Sequence, residues 1–178
     1  MDFTEKKIDG EVIYDGKVLK LIKDKVLCPG DVVSYREIIL HHGGAAILAI
    51  TEDKKIFLVK QFRYAYNELL YEIPAGKLEK DEDPYDAAMR ELEEETGNRA
   101  DNLEYLGVIY PSCGYTSEKI HLYLATKFVK THTNFDKDEN IETYLFSLDE
   151  VKKMILNGEI KDAKTICAIN YYMLKYEN

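Results

Sequence analysis

The sequence predicts an α/β or α+β sandwich, in which helices cover a mixed β-sheet. Short runs rich in Val, Ile, Leu and Tyr recur along the chain between Gly, Pro and Asp turn signals, as β-strands do. Apolar residues at helical spacing mark one segment in the middle of the chain and two at its C-terminal end. The 178 residues suffice for one domain with a sizeable core and a small N-terminal appendage.

The N-terminal part is predicted to be a small β module of residues 1–42, ahead of a main domain of residues 43–178. The turn signals Asp15-Gly16 and Pro29-Gly30 divide the module, and Gly43-Gly44 ends it. Its predicted strands cover residues 11–14, 18–26 and 32–40, and the last two form a hairpin.

The main domain is predicted to contain further strands and three helices. A polar turn at residues 51–55 joins its first two apolar runs and predicts a second hairpin. The predicted strands cover residues 45–50, 56–62, 69–73, 103–110, 119–129 and 141–148. Two helices, residues 148–156 and 162–176, close the chain, and Asn157-Gly158 ends the first of them.

The third helix is predicted in the middle of the chain, at residues 84–96. Asp83 is a natural N-cap, and Pro84 suits the first helical position. Gly97 fits the position just past a helix end, where a left-handed backbone is common. Local signals therefore define both ends of this helix.

Two neighbouring faces of the central helix differ in chemistry. The apolar face carries Tyr85, Ala88, Met89 and Leu92, and the adjacent arc carries Glu91, Glu94 and Glu95. Like charges at this spacing repel by about a few tenths of a kcal/mol each, unless a cation neutralises them. A hard divalent ion is one explanation, because Mg²⁺, Ca²⁺ and Mn²⁺ take carboxylate and carbonyl oxygens as ligands. A solvated acidic surface is the other.

Composition limits the classes of partner. The net charge of −9 and the pI near 5.0 argue against a nucleic-acid backbone or an anionic membrane as partner. Three widely spaced cysteines without a CxxC pair suit reduced thiols better than a disulfide framework. The N-terminus is charged, and no stretch approaches the roughly 20 apolar residues of a membrane span. We therefore expect a cytoplasmic protein.

Residues 76–98 follow the pattern Gx5Ex7REUxEExGU, in which U is apolar, at every position except the last, where Asn98 stands. This pattern resembles the Nudix box. The resemblance implies an α/β/α sandwich with a mixed sheet, and a loop-helix-loop that binds divalent metal and hydrolyses a nucleoside diphosphate linked to another group. It implies Mg²⁺, with Mn²⁺ as an alternative. The implied ligands are Glu91, Glu94, Glu95 and the Ala75 carbonyl; Arg90 would orient the carboxylates and Glu82 would steady the loop.

The flanks of the box are similar to those of a subfamily, the ADP-ribose pyrophosphatases. The similar segments are residues 60–64, 72–79, 111–114 with Glu118, and 158–165. One departure is Cys113, where the subfamily usually has proline. The resemblance implies hydrolysis of ADP-ribose to AMP and ribose 5-phosphate by a homodimer that exchanges its N-terminal modules. Two alternatives stay open: another nucleoside diphosphate derivative, such as a nucleotide sugar or NADH, and a non-catalytic nucleotide sensor.

Further roles follow from the same resemblance. A loop carboxylate would serve as general base, and Glu139 matches that position, with Glu118 as second candidate. Arg63 would bind phosphate, or form only a surface ion pair. Tyr35 would stack on adenine, or pack half-buried in its strand. Glu72 would hydrogen-bond the substrate or hold the box loop.

Overall fold

The computed structural model describes residues 2–134 and 140–177. The chain divides into two compact units, one of Met1–Gly43 with Tyr110–Lys119, the other of Gly44–Ile109 with Ile120–Asn178. Segment 110–119 belongs to the first unit because Ile39 pairs with it: its N–H donates to the Tyr115 carbonyl at 2.7 Å, and its carbonyl accepts from Ser117 at 2.9 Å. The sequence contains no signal for this pairing.

The first unit contains a three-stranded antiparallel sheet. Its strands are β1 (Lys6–Asp15), β2 (Lys20–Cys28) and β3 (Val32–Leu40), in the order β1-β2-β3. Gly30 and Asp31 turn the chain between β2 and β3 with positive φ, which confirms the predicted hairpin. The first strand is longer than predicted, and all of its residues are exposed.

The second unit contains the other strands, and all three helices, of residues 2–134 and 140–177. The strands are β4 (Gly44–Ala49), β5 (Lys55–Arg63), β6 (Glu68–Glu72), β7 (Ala75–Lys77), β8 (Asn98–Ala100), β9 (Glu104–Ile109), β10 (Ile120–Ala125), β11 (Phe128–Lys130) and β12 (Glu142–Ser147). The helices are α1 (Pro84–Thr96), α2 (Leu148–Leu156) and α3 (Ala163–Tyr176). The sheet β7-β4-β10-β9 is mixed, because β10 is parallel to β4 and antiparallel to β9. A second sheet has the order β12-β5-β6, and β8 pairs with β11.

The predicted hairpin between the first two apolar runs is wrong. The turn forms, with Thr51 N–H donating to Lys55 at 2.8 Å, but only the isolated bridge Ile50–Ile56 follows it. β4 and β5 then enter different sheets. All six residues of β4 are buried, and its two edges are taken by β7 and β10. The predicted strand at residues 119–129 is also divided, into β10 and β11.

Helices cover both faces of the mixed sheet. Ala46, Leu48 and Ile50 point into a core that includes Val151 of α2 and Ile169 of α3. The alternate residues of β4, Ala45 and Ile47 among them, point into a second core that includes Ala88 and Leu92 of α1. Because successive side chains of a strand face opposite ways, β4 is the middle layer of an α/β/α sandwich. This confirms the predicted fold class.

The central helix has the predicted bounds. The Asp83 carboxylate accepts the Tyr85 N–H at 2.8 Å, and Gly97, with φ of 64°, caps the C-terminal end. Asp162 is the N-cap of α3, which therefore begins one residue later than predicted. Over the described part of the chain, no helix combines the length and the apolar character that a membrane span requires.

Candidate active site

Arg90, in the middle of α1, binds three carboxylates. Its Nη1 donates to Glu91 at 2.6 Å and to Glu94 at 3.1 Å. Its Nε and Nη2 donate to the two oxygens of Glu82 at 3.1 and 3.2 Å. One guanidinium thus holds two acids of the helix and one of the preceding loop, because its donors fan out from a rigid plane.

Glu82 in turn closes the loop in front of the helix. Its Oε2 accepts the Glu79 N–H at 2.8 Å. Burial opposes ionisation of Glu82, but the hydrogen bonds from Arg90 and Glu79 outweigh it and hold its pKa below the usual value. These hydrogen bonds therefore favour the charged form of the Glu82 carboxylate.

Glu95 lies on the other side of the acidic arc and is 3 % exposed. Its Oε2 accepts the N–H of Ala75, the first residue of β7, at 3.0 Å. Thr143 of β12 donates its hydroxyl to the Glu95 carbonyl at 2.9 Å. The buried acid is therefore fixed between the helix and the strand that leads into the box. For Ala75, the contact in this structure is made by its N–H.

Gly76 explains why the box begins with glycine. A Cβ placed on Gly76 would overlap the carboxylate of Glu91, so this carboxylate lies directly against the glycine backbone. In the neighbouring strand β4, a Cβ on Gly44 would lie 2.9 Å from the Gly76 carbonyl oxygen. Glycine at position 76 therefore makes room for the Glu91 carboxylate, and glycine at position 44 makes room for the Gly76 backbone.

The donor set suits a hard divalent cation. Glu91, Glu94 and Glu95 offer carboxylate oxygens on one arc of α1, and Mg²⁺ and Mn²⁺ prefer such ligands. In residues 2–134 and 140–177, however, no three His, Cys, Asp or Glu side chains converge on a common point that would hold a metal. Arg90 draws Glu91 and Glu94 towards itself, whereas Glu95 turns to Ala75. The ligand set stays a prediction.

A second charged cluster lies at the ends of β5 and β6. Arg63 donates from Nε and Nη2 to the two oxygens of Glu72 at 2.6 and 2.7 Å. Lys164 of α3 also donates to Glu72, and its Nζ lies 3.0 Å from Asp162. Glu72 is 1 % exposed. Burial opposes its charge, yet Arg63 and Lys164 hold its pKa below the usual value.

This cluster contains two of the three residues predicted at the substrate, Arg63 and Glu72. The Nε–Nη2 edge of Arg63 is taken by Glu72, while the side chain is still 40 % exposed. Glu72 uses both oxygens in ion pairs with Arg63 and Lys164, neither of which belongs to the box loop. Sequence reasoning assigned no role to Lys164, Asp162 or Thr165; the one signal for them was the similarity of residues 158–165.

The remaining predicted residues lie elsewhere. Tyr35 and Glu118 belong to the first unit. Tyr35 is 57 % exposed, with the Lys23 ammonium 5.3 Å from its ring centroid. A Glu118 carboxylate oxygen lies 3.6 Å from Nδ1 of His41. Glu139 lies outside the described residues.

Comparison with known proteins decides the family. The NUDIX domain model matches residues 40–169, which include the whole box and both charged clusters. The chain belongs to the Nudix family. It is a Nudix hydrolase, and its helix α1 is the helix of the Nudix box. Nudix hydrolases generally depend on a divalent metal.

Several curated relatives match almost the whole chain. An ADP-ribose pyrophosphatase of Bacillus subtilis (strain 168) is 42 % identical over 96 % of this chain and 94 % of its own. A methanol dehydrogenase activator of Bacillus methanolicus is 42 % identical over 97 % of this chain and 95 % of its own. A GDP-mannose pyrophosphatase of Citrobacter koseri (strain ATCC BAA-895 / CDC 4225-83 / SGSC4696) is 33 % identical over 86 % of this chain and 94 % of its own.

The fold agrees with that of a solved structure. The crystal structure of an ADP compounds hydrolase superposes with a TM-score of 0.87, covering 99 % of this chain and 97 % of that one. The two sequences are only 16 % identical, so this likeness concerns the fold.

Proposed function

We propose that this Nudix hydrolase splits ADP-ribose into AMP and ribose 5-phosphate in a Mg²⁺-dependent reaction. The observation that carries the proposal is a complete acidic arc on α1, held against Ala75 and Gly76, in a chain 42 % identical to an ADP-ribose pyrophosphatase over nearly its whole length. Mn²⁺ is the alternative metal. We also propose that the enzyme is cytoplasmic, since three unpaired cysteines suit a reducing compartment.

The α1 carboxylates would hold the metal. Glu91, Glu94 and Glu95, with the Ala75 carbonyl, are the proposed ligands, and Arg90 orients Glu91 and Glu94. A bound Mg²⁺ supplies neutralisation of the pyrophosphate charge and lowers the pKa of water. Glu94 is also the proposed acid of the box that contacts the reacting water, because its side chain is the most exposed of the Arg90 partners.

Arg63 is the proposed phosphate ligand. Within the described residues, its Nη1 has no hydrogen-bond partner, and the side chain is 40 % exposed. A guanidinium N–H donates strongly to a phosphoryl oxygen, since both groups are charged. In this structure Glu72 accepts from the Nε–Nη2 edge of the same guanidinium.

Glu139 is the proposed general base, with Glu118 as second candidate. Support comes from the residues on either side of segment 135–139. The Asn134 N–H donates to the Glu94 carbonyl at 3.0 Å, and the Thr143 hydroxyl donates to the Glu95 carbonyl at 2.9 Å. Both anchors are therefore carbonyls of the helix that carries the proposed metal ligands.

The first unit is proposed to mediate a homodimer and to supply Tyr35 for stacking on adenine. Its strand β1 exposes large apolar side chains, and contiguous exposed apolar surface commonly marks an interface. These side chains are Ile8, Val12, Ile13 and Tyr14. Light scattering should give a mass of twice 20.6 kDa. The mass of a single chain would contradict the dimer.

One assay separates this function from its alternatives. The purified protein is incubated with Mg²⁺ and ADP-ribose, GDP-mannose or NADH, and the products are resolved by chromatography. AMP released chiefly from ADP-ribose supports the proposal. Preference for GDP-mannose or NADH would keep the reaction and reassign the substrate. Tight nucleotide binding without turnover would favour the sensor. If the protein hydrolyses none of these compounds but accelerates a methanol dehydrogenase, its function would be the one that the name of the Bacillus methanolicus relative describes.

A further inference from the structure

Glu72 is paired with two cations at once. Arg63 binds both of its oxygens, at 2.6 and 2.7 Å, and Lys164 binds Oε2 as well. Lys164 also pairs with Asp162, so the cluster joins two cations to two carboxylates. A carboxylate that is 1 % exposed must be paired, because an uncompensated buried charge is costly. Lys164 is therefore in place to neutralise Glu72 when Arg63 binds another anion.

Lys164 is fixed at the start of α3. It is 8 % exposed, and its Nζ lies 3.0 Å from a carboxylate oxygen of Asp162, the N-cap of the helix. The other Asp162 oxygen accepts the Thr165 N–H and hydroxyl at 3.0 and 2.6 Å. The same Thr165 hydroxyl accepts the N–H of Ile73 at 2.8 Å. Lys164 is thus tied to both the helix and the residue that follows β6.

Arg63 has the opposite character. It is the last residue of β5, its side chain is 40 % exposed, and Nη1 is unengaged among the described residues. Its hydrogen bonds to Glu72 raise its pKa, and the charges of Asp162 and Glu95 contribute in the same direction. Of the two cations, Arg63 is the one that can turn towards a substrate.

We propose that Lys164 is a positioning residue that keeps Glu72 neutralised while Arg63 turns part of its guanidinium from Glu72 to a phosphoryl oxygen. This inference rests on the proposed function, in which Arg63 binds the pyrophosphate. With Lys164 in place, Glu72 retains a counter-ion throughout the cycle. Without Lys164, Arg63 is the sole counter-ion of the buried Glu72 carboxylate. Arg63 then stays paired with Glu72 and binds the phosphoryl oxygen of the substrate more weakly.

Lys164→Met tests this role. The KM for ADP-ribose should rise about tenfold while kcat stays within about twofold, because weaker phosphate binding affects the ground state and the transition state alike. The Kd of inorganic pyrophosphate, measured by calorimetry without metal, should rise by about the same factor. The matched control is Lys161→Met. Lys161 pairs with Glu68 at 2.7 Å and links β6 to the segment before α3, but both side chains are exposed. Its loss should leave KM and Kd unchanged.

The double variant Glu72→Gln/Lys164→Met distinguishes positioning from simple support of the fold. Once Glu72 is neutral it needs no counter-ion, so the double variant should bind pyrophosphate within about threefold of the wild type. A double variant as weak as Lys164→Met, or a Lys164→Met enzyme with wild-type KM and Kd, would overturn the inference.

Two further readings keep the test decisive. If Lys164→Met alone fails to fold, as judged by circular dichroism, the Kd of pyrophosphate is compared between Glu72→Gln and the double variant. Equal Kd values support the role of Lys164. A Kd about tenfold higher in the double variant contradicts it. A wild type that binds pyrophosphate but does not hydrolyse ADP-ribose would refute the proposed function alone, because the Kd comparison still tests Lys164.

Discussion

Gly76→Ala tests whether the position of the Glu91 carboxylate matters for catalysis. The backbone at Gly76 is outside the left-handed region, so alanine is compatible with it. The added Cβ would overlap the Glu91 carboxylate, which is the movable end of a flexible side chain. The substitution should therefore displace that carboxylate and leave the backbone in place.

The expected cost to stability is small. Displacing Glu91 breaks its 2.6 Å ion pair with an Arg90 guanidinium that is 33 % exposed, and such pairs contribute about 0–1 kcal/mol. Replacing glycine by alanine returns about 0.4–1 kcal/mol by restricting the unfolded chain. The two effects nearly cancel, so the free energy of unfolding should change by less than about 1 kcal/mol.

The expected effect on activity is large. Losing one metal ligand at a site that contributes several kcal/mol should raise the barrier by about 3 kcal/mol, which lowers kcat about 150-fold. The assay is AMP release from ADP-ribose as a function of Mg²⁺ concentration, for Gly76→Ala, Glu91→Ala and the double variant. The double variant should be no slower than Glu91→Ala, because both substitutions act on one carboxylate. Two results would show that the position of the Glu91 carboxylate does not matter for catalysis. One is a folded Gly76→Ala enzyme with a kcat within about threefold of the wild type, and the other is additive losses of kcat in the double variant.

Other predictions concern the two buried acids. Glu95→Gln keeps an oxygen for the Ala75 N–H but removes the charge, so kcat should fall by about two orders of magnitude with little change in Tm; a near-normal metal-dependent rate would contradict its role as a ligand. Burial opposes ionisation of Glu72, but Arg63 and Lys164 hold its pKa below the usual value. The ionised Glu72 therefore stabilises the folded state above about pH 4.3, the ordinary pKa of a glutamate in the unfolded chain. This stabilisation is lost as the pH falls through the lower pKa of Glu72 in the folded state. Urea unfolding of Glu72→Gln should therefore vary less between about pH 5 and 3 than unfolding of the wild type, and parallel curves would contradict this.

The central helix was predictable because its signals are local. Asp83, Pro84 and Gly97 act on their immediate neighbours, and the structure places both caps where the sequence indicates. The hairpin of β4 and β5 failed for a complementary reason. Two apolar runs joined by a tight turn are compatible with pairing. The partners of a fully buried strand, however, depend on the packing of the whole sheet, and β4 pairs with β7 and β10.

The charged clusters show the same limit. The arc of Glu91, Glu94 and Glu95 follows from helical spacing alone. The pairing of Lys164 with Glu72 joins residues 92 positions apart, and the bond between Ala75 and Glu95 depends on how β7 packs beside α1. No periodicity in the sequence connects such pairs. Only the folded chain shows that Lys164 of α3 binds the same carboxylate as Arg63.

Cleavage of the pyrophosphate bond of ADP-ribose is proposed to require a metal ion. To test this, all products formed from ADP-ribose by the wild-type enzyme are quantified with Mg²⁺ and after addition of EDTA. We expect AMP and ribose 5-phosphate in equal amounts with Mg²⁺, and neither product in EDTA. Formation of ADP and free ribose, or hydrolysis that persists in EDTA, would contradict it.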